Sequence, residues 1–124
     1  MAHVLALVPD LLFGSRLQAA LAAAGHDVEL LGEEAQLRQR LAQQEPPADV
    51  LIVDLTDAEL DGAGIVASLA GGGELGGTRT LGFYAHVDAA ARERAEQAGF
   101  GLVVPRSRMA REGAQLVTRL AAGG

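Results

Sequence analysis

Short apolar runs alternate with longer segments of helical periodicity along the whole chain. The apolar runs have the length of strands and lie at residues 3–8, 27–31, 50–55, 80–84 and 102–104. The segments between and after them have apolar residues three and four positions apart, which predicts helices at residues 11–24, 33–44, 62–70 and 88–98 and from residue 107 onward. Continuous apolar runs predict fully buried strands, whereas 27–31 alternates polar and apolar residues and predicts an edge strand.

Polar side chains, glycine and proline mark the ends of the predicted helices. Asp88 and Ser107 are the expected N-caps of the fourth and fifth helices. Gly99 is placed to end the fourth helix, and Pro46 stops the second. The residues expected to face the core are Leu12, Leu17, Ala20, Leu21 and Ala24 in the first helix, and Ala110, Ala114, Val117 and Leu120 in the last.

Strict alternation of five strands and five helices predicts an α/β domain, a doubly wound parallel sheet with helices on both faces. Right-handed crossovers and the edge character of the second strand favour the flavodoxin-like strand order 2-1-3-4-5. The length suits one domain, so we expect residues 1–124 to form it alone. Ligand sites in such sheets lie at the carboxyl ends of the strands, between the first and third strands.

Composition narrows the function classes. Apolar residues make up 49 % and charged residues 21 % of the chain, as in a soluble globular domain. The chain lacks cysteine, a signal peptide and an apolar run of the ~18 residues that a membrane helix needs, so we expect a cytoplasmic protein. The net charge of −6 disfavours binding to nucleic acid or to an anionic membrane.

Asp54 is the candidate site residue. It closes the most apolar run of the chain, and Asp61 and Gly62 follow seven and eight residues later. An aspartate at the exit of a buried strand can accept a phosphoryl group when Mg²⁺ and a nearby cation manage the charge. The chain contains ten arginines and no lysine.

These features resemble the response-regulator receiver domain (CheY-like) over nearly the whole chain. The resemblance implies that Asp54 is the phosphoacceptor, and that Asp10, Asp54 and the backbone carbonyl of Thr56 hold Mg²⁺. The family's signalling hydroxyl, followed by alanine, falls on Tyr84 and Ala85. Its lysine near the end of the fifth strand falls on Arg106, followed by Ser107, and its rotating aromatic falls on Val103.

Several positions depart from the family pattern. Pro9 stands where the family has a second acid, so we expect Mg²⁺ to bind weakly. Tyr84 is too large for the inward swing of a threonine, and Val103 has no aromatic ring to rotate. Arg106 is expected either to grip Asp54 through two parallel hydrogen bonds or to remain solvated on the rim. These departures resemble the atypical, or pseudo-receiver, branch. Asp10 has an alternative role as the N-cap of the first helix.

The expected function is therefore a single-domain pseudo-receiver that acts in signal transduction by protein–protein interaction and is not an enzyme. Its partner would be a kinase or an output protein. The expected partner face, on the fourth helix, fifth strand and fifth helix, could also form a homodimer; its residues are Arg92, Arg94, Val103, Arg108 and Arg111. The alternative is that these arginines are an ordinary solvated face.

A second class of function is a flavodoxin-like protein that binds a small ligand or cofactor. Its first β–α loop should be rich in glycine, serine or threonine in order to hold a phosphate. The loop at residues 9–14 is acidic and apolar instead. The glycine-rich stretch 71–77 follows a helix and precedes a strand, which places it at the wrong end of the sheet for such a site, and we expect a plain loop. His86 is expected to be solvated rather than a metal ligand.

Overall fold

The computed structural model describes residues 1–123, which form five strands and five helices in strict alternation. The strands are β1 (His3–Leu7), β2 (Asp27–Leu31), β3 (Val50–Asp54), β4 (Arg79–Tyr84) and β5 (Leu102–Pro105). The helices are α1 (Leu11–Ala23), α2 (Glu34–Gln43), α3 (Gly62–Gly71), α4 (Ala89–Ala98) and α5 (Arg106–Ala121).

All strand pairs are parallel, and the order across the sheet is β2-β1-β3-β4-β5. The predicted strand order and the predicted edge position of β2 are confirmed. The register pairs Leu7 with Val53 in the centre of the sheet, and Asp54 with Phe83 and Tyr84 with Pro105 further along it. The order in which strands are added to the sheet therefore reverses between β1 and β3, which is the topological switch point. The carboxyl ends of β1, β3, β4 and β5 all lie at the same end of the sheet.

Each face of the sheet has its own apolar core. Successive side chains of a strand point to opposite faces. In β3, Val50 and Ile52 join the cluster that includes residues of α1 and α5, whereas Leu51 and Val53 join the cluster of α2, α3 and α4. Asp54 continues the first of these two series, so its side chain belongs to the α1–α5 face of the sheet.

The helix ends agree with the sequence at some positions and differ at others. Asp88 caps α4 by accepting a hydrogen bond from the backbone N–H of Ala91, and Gly99 ends it at φ 96°. The prediction that Ser107 caps the last helix is wrong. Pro105 is the N-cap, without a side-chain bond, and α5 begins at Arg106. The extended backbone of Pro105 suits the position before a helix.

The inward faces of α1 and α5 were predicted only in part. Leu17 and Leu21 are buried in α1, as are Val117 and Leu120 in α5. Leu12 is 64 % exposed, contrary to prediction. Three small residues predicted inward, Ala20, Ala24 and Ala110, are also exposed, and Ala114 is half-buried. Met109, Gly113 and Leu116 supply the buried face of α5 instead. No helix within residues 1–123 combines the length and apolarity required to cross a bilayer.

Candidate functional site

Asp54 lies at the end of β3 with only 2 % of its surface exposed. Its Oδ1 atom accepts a hydrogen bond of 2.7 Å from the backbone N–H of Thr56 and one of 2.6 Å from the Thr56 hydroxyl. The backbone of the next residue, Leu55, donates to the carbonyl of Phe83 and thereby holds the turn beside β4. The carboxylate that the sequence singles out is therefore buried, and its own turn already supplies two hydrogen bonds to one oxygen.

Asp10, the last residue of the first β–α connection, has partners for both carboxylate oxygens. Oδ1 accepts from the backbone N–H of Phe13 at 3.0 Å, which makes Asp10 the N-cap of α1. Oδ2 receives a hydrogen bond of 3.2 Å from the guanidinium of Arg106. The alternative role of Asp10 as a helix cap, considered from the sequence, is the one that the structure contains.

Arg106 directly follows the last residue of β5 and is the first residue of α5, and its side chain turns toward α1. Its guanidinium carbon lies 4.4 Å above the ring centroid of Phe13. The Phe13 ring in turn lies 4.9 Å, centroid to centroid, from the buried ring of Phe83. Within residues 1–123 the carboxylate partner of Arg106 is Asp10, not Asp54. The ion pair and the cation–π contact together fix the arginine across the first loop.

The other predicted neighbours of Asp54 are placed as follows. Tyr84 is buried, 6 % exposed, at the end of β4 and pairs in register with Pro105. Ala85 follows it and is half-buried beside the exposed His86. Val103 is half-buried and packs against the core of the α2–α3–α4 face, the face opposite to the one that carries Asp54.

A Mg²⁺ site would need about six oxygen ligands in octahedral geometry around the ion. Within residues 1–123, no group of three or more His, Cys, Asp or Glu side chains converges as metal ligands would. Oδ1 of Asp54 accepts hydrogen bonds from Thr56, and the two oxygens of Asp10 accept from Phe13 and Arg106; within residues 1–123 only Oδ2 of Asp54 has no hydrogen-bond partner. These residues do not fit a metal in this conformation, because Arg106 would first have to leave Asp10.

Further carboxylates line a cleft of about 440 Å³ between the β3–α3 loop and α4. Three of them serve the backbone. Asp57 accepts from two amides of its own loop, Asp61 caps α3, and Asp88 caps α4. Arg94 lines the same cleft. The three aspartates of this cleft are therefore accounted for by a turn and two helix caps.

The remaining arginines of the predicted partner face are engaged within their own helices. Arg92 lies 3.6 Å from Glu96 in α4, and in α5 Arg108 and Arg111 each lie 3.5 Å from Glu112. Such exposed pairs contribute little to stability. The role of this face in binding a partner stays a prediction.

A second concave surface was missed from the sequence. It is a groove of about 660 Å³ between α1 and α5, and it opens beside Arg106. Phe13 and Arg16 line it from α1, and neither was considered a functional residue. The available signal was the exposed stripe Leu12, Arg16 and Ala20, spaced four residues apart on α1.

Solved structures resemble this chain along nearly its full length. The receiver domain of Francisella response regulator 1452 matches with a TM-score of 0.80 and 15 % identity, covering 99 % of this chain and 98 % of that one. The corresponding values for a Thermotoga maritima response regulator are 0.81 and 16 %, with 98 % of each chain covered. For the receiver domain of TorR, a response regulator of trimethylamine N-oxide (TMAO) respiration, they are 0.84 and 19 %, covering 99 % of this chain and 98 % of the other.

This chain has the fold of a response-regulator receiver domain. The five-stranded sheet order and the near-complete coverage of both chains carry that conclusion. No protein-family model matches the sequence, and no curated protein matches it. At identities below 20 % the likeness concerns the fold, so the function has to be argued from the residues of the receiver-fold chain itself.

Proposed function

We propose that this protein is an atypical receiver-like domain that acts in cytoplasmic signal transduction by binding a protein partner, and that it does not depend on phosphorylation of Asp54. The proposal is supported by the receiver fold together with the altered chemistry around the carboxylates. The protein would act as a binding module rather than as an enzyme. A kinase-related or output protein is the class of partner that the fold favours.

One observation carries the proposal: both carboxylate oxygens of Asp10 and one oxygen of Asp54 already accept hydrogen bonds from groups of the protein itself. The Thr56 hydroxyl donates to Asp54 at 2.6 Å, and Arg106 donates to Asp10 at 3.2 Å. Oδ2 of Asp54 has no hydrogen-bond partner in the described part of the chain, so the obstacle to phosphorylation is charge: an aspartate nucleophile needs nearby positive charge that stabilises the developing phosphoryl transition state. Here the nearby cation is directed toward Asp10, and Mg²⁺ would find few unoccupied ligands.

The first β–α loop argues against a bound flavin or nucleotide phosphate. The helix N-terminus that would receive such an anion is α1, and the carboxylate of Asp10 already caps it. A phosphate placed there would meet a negative charge where helix N-termini normally offer only N–H groups. We therefore favour the signalling role over the cofactor-binding alternative.

The proposal is tested by exposure to acetyl phosphate and Mg²⁺, followed by intact-mass measurement. We expect no phosphorylated species in the wild-type protein. The double variant Pro9→Asp, Arg106→Lys restores an acid beside Asp10 and a lysine in place of the arginine, so it should gain a phosphorylated fraction. Asp54→Asn in that background is the control that assigns the site. Wild-type protein that accumulates phosphate, and loses it in Asp54→Asn, would contradict the proposal.

A further inference from the structure

The groove between α1 and α5, called here the α1–α5 groove, has an apolar floor made by closely approaching helices. Leu17 of α1 and Met109 of α5 are buried at its base. Gly113 lets the helices approach, because a Cβ atom at that position would lie 3.1 Å from Leu17 Cδ1 and 3.3 Å from Met109 Cε. Ala110 and Ala114 stand above it with short side chains, so the groove remains open.

The two walls of the α1–α5 groove have matching stripes. On α1, Leu12, Arg16 and Ala20 are four residues apart and therefore share a helix face. On α5, Arg106, Ala110 and Ala114 repeat the same spacing. Leu12 is 64 % exposed and continues the α1 stripe beyond the residues that line the groove. The exposed Ala20 and Ala110 and the half-buried Ala114 therefore form an unpartnered apolar surface between two helical stripes, the kind of surface on which an amphipathic helix packs.

The charge of the α1–α5 groove is opposite to that of the chain. Its lining includes the arginines Arg16, Arg106 and Arg111, and within residues 1–123 no Asp or Glu side chain contributes to it. The chain as a whole has a net charge of −6. Arg106 is partly neutralised by Asp10, and Arg111 lies near Glu112. Arg16 has no ion-pair partner in the described part of the chain, so its charge is available to a ligand.

We propose that the α1–α5 groove binds an acidic amphipathic helix of a partner protein. The apolar side of that helix would cover Ala20, Ala110 and Ala114, and its carboxylates would meet Arg16 and Arg111. This inference rests on the proposed role of the domain as a docking module. It differs from the sequence-based expectation, because it assigns the partner to the groove between α1 and α5 rather than to the face formed by α4, β5 and α5; only Arg111 is common to both.

The test uses two labelled helical peptides with the same leucine and alanine face, one flanked by glutamates and the other by lysines. Binding to the full chain is measured by fluorescence anisotropy. We expect saturable binding of the glutamate peptide only. Arg16→Glu should weaken it by about tenfold or more, as expected for loss of an arginine anchor. Arg92→Glu, on α4, makes the same change in net charge and should leave binding within about twofold, since it alters only the long-range field.

A second pair of variants tests the shape of the groove. Ala110→Trp fills it and should abolish binding, whereas Ala22→Trp, at another exposed position of α1, should leave binding unchanged. Thermal melting of both variants shows whether the fold is kept. If Ala110→Trp unfolds the chain, Ala114→Gln provides the same obstruction with a polar side chain.

The inference is overturned if the lysine peptide binds as well as the glutamate peptide, if neither binds, or if Arg16→Glu and Arg92→Glu weaken binding equally. Loss of binding in Arg108→Glu but not in Arg16→Glu would also overturn it, while leaving the docking role of the domain in place. Phosphorylation of the wild-type Asp54 would instead count against the proposed function, and it is measured independently of peptide binding.

Discussion

Removal of the Thr56 hydroxyl should destabilise the fold, because that hydroxyl is one of two donors to a buried carboxylate. In Thr56→Val the side-chain hydrogen bond of 2.6 Å to Asp54 is lost, while the backbone N–H of residue 56 still donates at 2.7 Å. The valine keeps the β-branched shape, so the change is confined to one donor. Asp54 itself remains 2 % exposed in the folded chain.

The size of the effect follows from the contact. A hydrogen bond to a charged group contributes about 1.5–3 kcal/mol to stability. Thr56 is itself exposed, so water can partly replace its hydroxyl, and the lower part of that range applies. We therefore expect a loss of about 1–2 kcal/mol, or a decrease of roughly 0.5–1 M in the urea midpoint for a domain with a denaturant slope near 2 kcal/mol/M.

The assay is urea unfolding followed by circular dichroism at neutral pH. Thr56→Ser retains the hydroxyl and is the matched control. Because the hydrogen bond is kept, we expect it to lose less than about half of the unfolding free energy that Thr56→Val loses. A double-mutant cycle of Thr56→Val with Asp54→Ala isolates the coupling between the two side chains. If Thr56→Val unfolds at the wild-type urea concentration, or if the coupling is zero within error, the bond to Asp54 does not stabilise the site as argued.

Three further predictions concern the scaffold. Burial, and then the positive N-terminus, lower the pKa of His26 from its ordinary value of 6.5. Since the unfolded chain then binds the proton more readily, stability should fall as the pH drops below about 6.5, and His26→Gln should reduce that dependence in urea titrations at successive pH values. A Cβ atom on Gly82 would lie 2.8 Å from Leu55 Cδ1, so Gly82→Ala should cost about 1–3 kcal/mol of unfolding free energy, whereas Gly71→Ala, where the space is open, should cost nothing. Arg40 is 7 % exposed and donates hydrogen bonds to Glu29 and to the Pro46 carbonyl. Arg40→Met should therefore lower the thermal midpoint more than removal of the exposed ion pair between Arg92 and Glu96 does. Equal decreases in the two midpoints would contradict this prediction.

His26 also illustrates a role that its sequence position did not reveal. Its Nδ1 accepts from the backbone N–H of Ala2 at 3.1 Å, and its Nε2 lies 2.9 Å from the Thr118 hydroxyl. Thr118 donates its own proton to the Ala114 carbonyl, so the imidazole is the donor in that contact. The histidine thus joins the start of β1 to α5 at the amino end of the sheet. Nothing near it in the sequence indicates a partner 92 residues away.

The element order and the sheet topology could be predicted because they depend on short-range patterns. Apolar runs, helical spacing and the polar alternation of residues 27–31 are each readable within a few positions, and the handedness of crossovers then limits the strand order. The position of Asp54 at the carboxyl end of the sheet could be predicted for the same reason. It directly follows the uninterrupted apolar run at residues 50–53, and the carboxyl ends of the strands in a parallel sheet lie side by side.

The partner of Arg106 could not be predicted, because it depends on where α5 begins. A cap at Ser107 would have left Arg106 outside the helix, in the connection after β5, where a contact with Asp54 or a solvated position on the rim was expected. In the structure the helix includes Arg106, and its side chain crosses to Asp10 over the Phe13 ring. A shift of one residue at a helix start turns a side chain by about 100°, which changes its neighbours. Contacts between residues 96 positions apart are sensitive to such details.

We propose that the hydrogen bonds from Thr56 to Asp54 and from Arg106 to Asp10 keep these carboxylates from binding Mg²⁺. The most direct measurement is a Mg²⁺ titration followed by amide NMR shifts, on the wild-type protein and on the double variant Thr56→Val, Arg106→Gln. We predict that the amides of residues 10, 54 and 56 show no saturable shift in the wild-type protein at low millimolar Mg²⁺, and that they do in the double variant. Saturable binding by the wild type with the same affinity as the double variant would contradict the account.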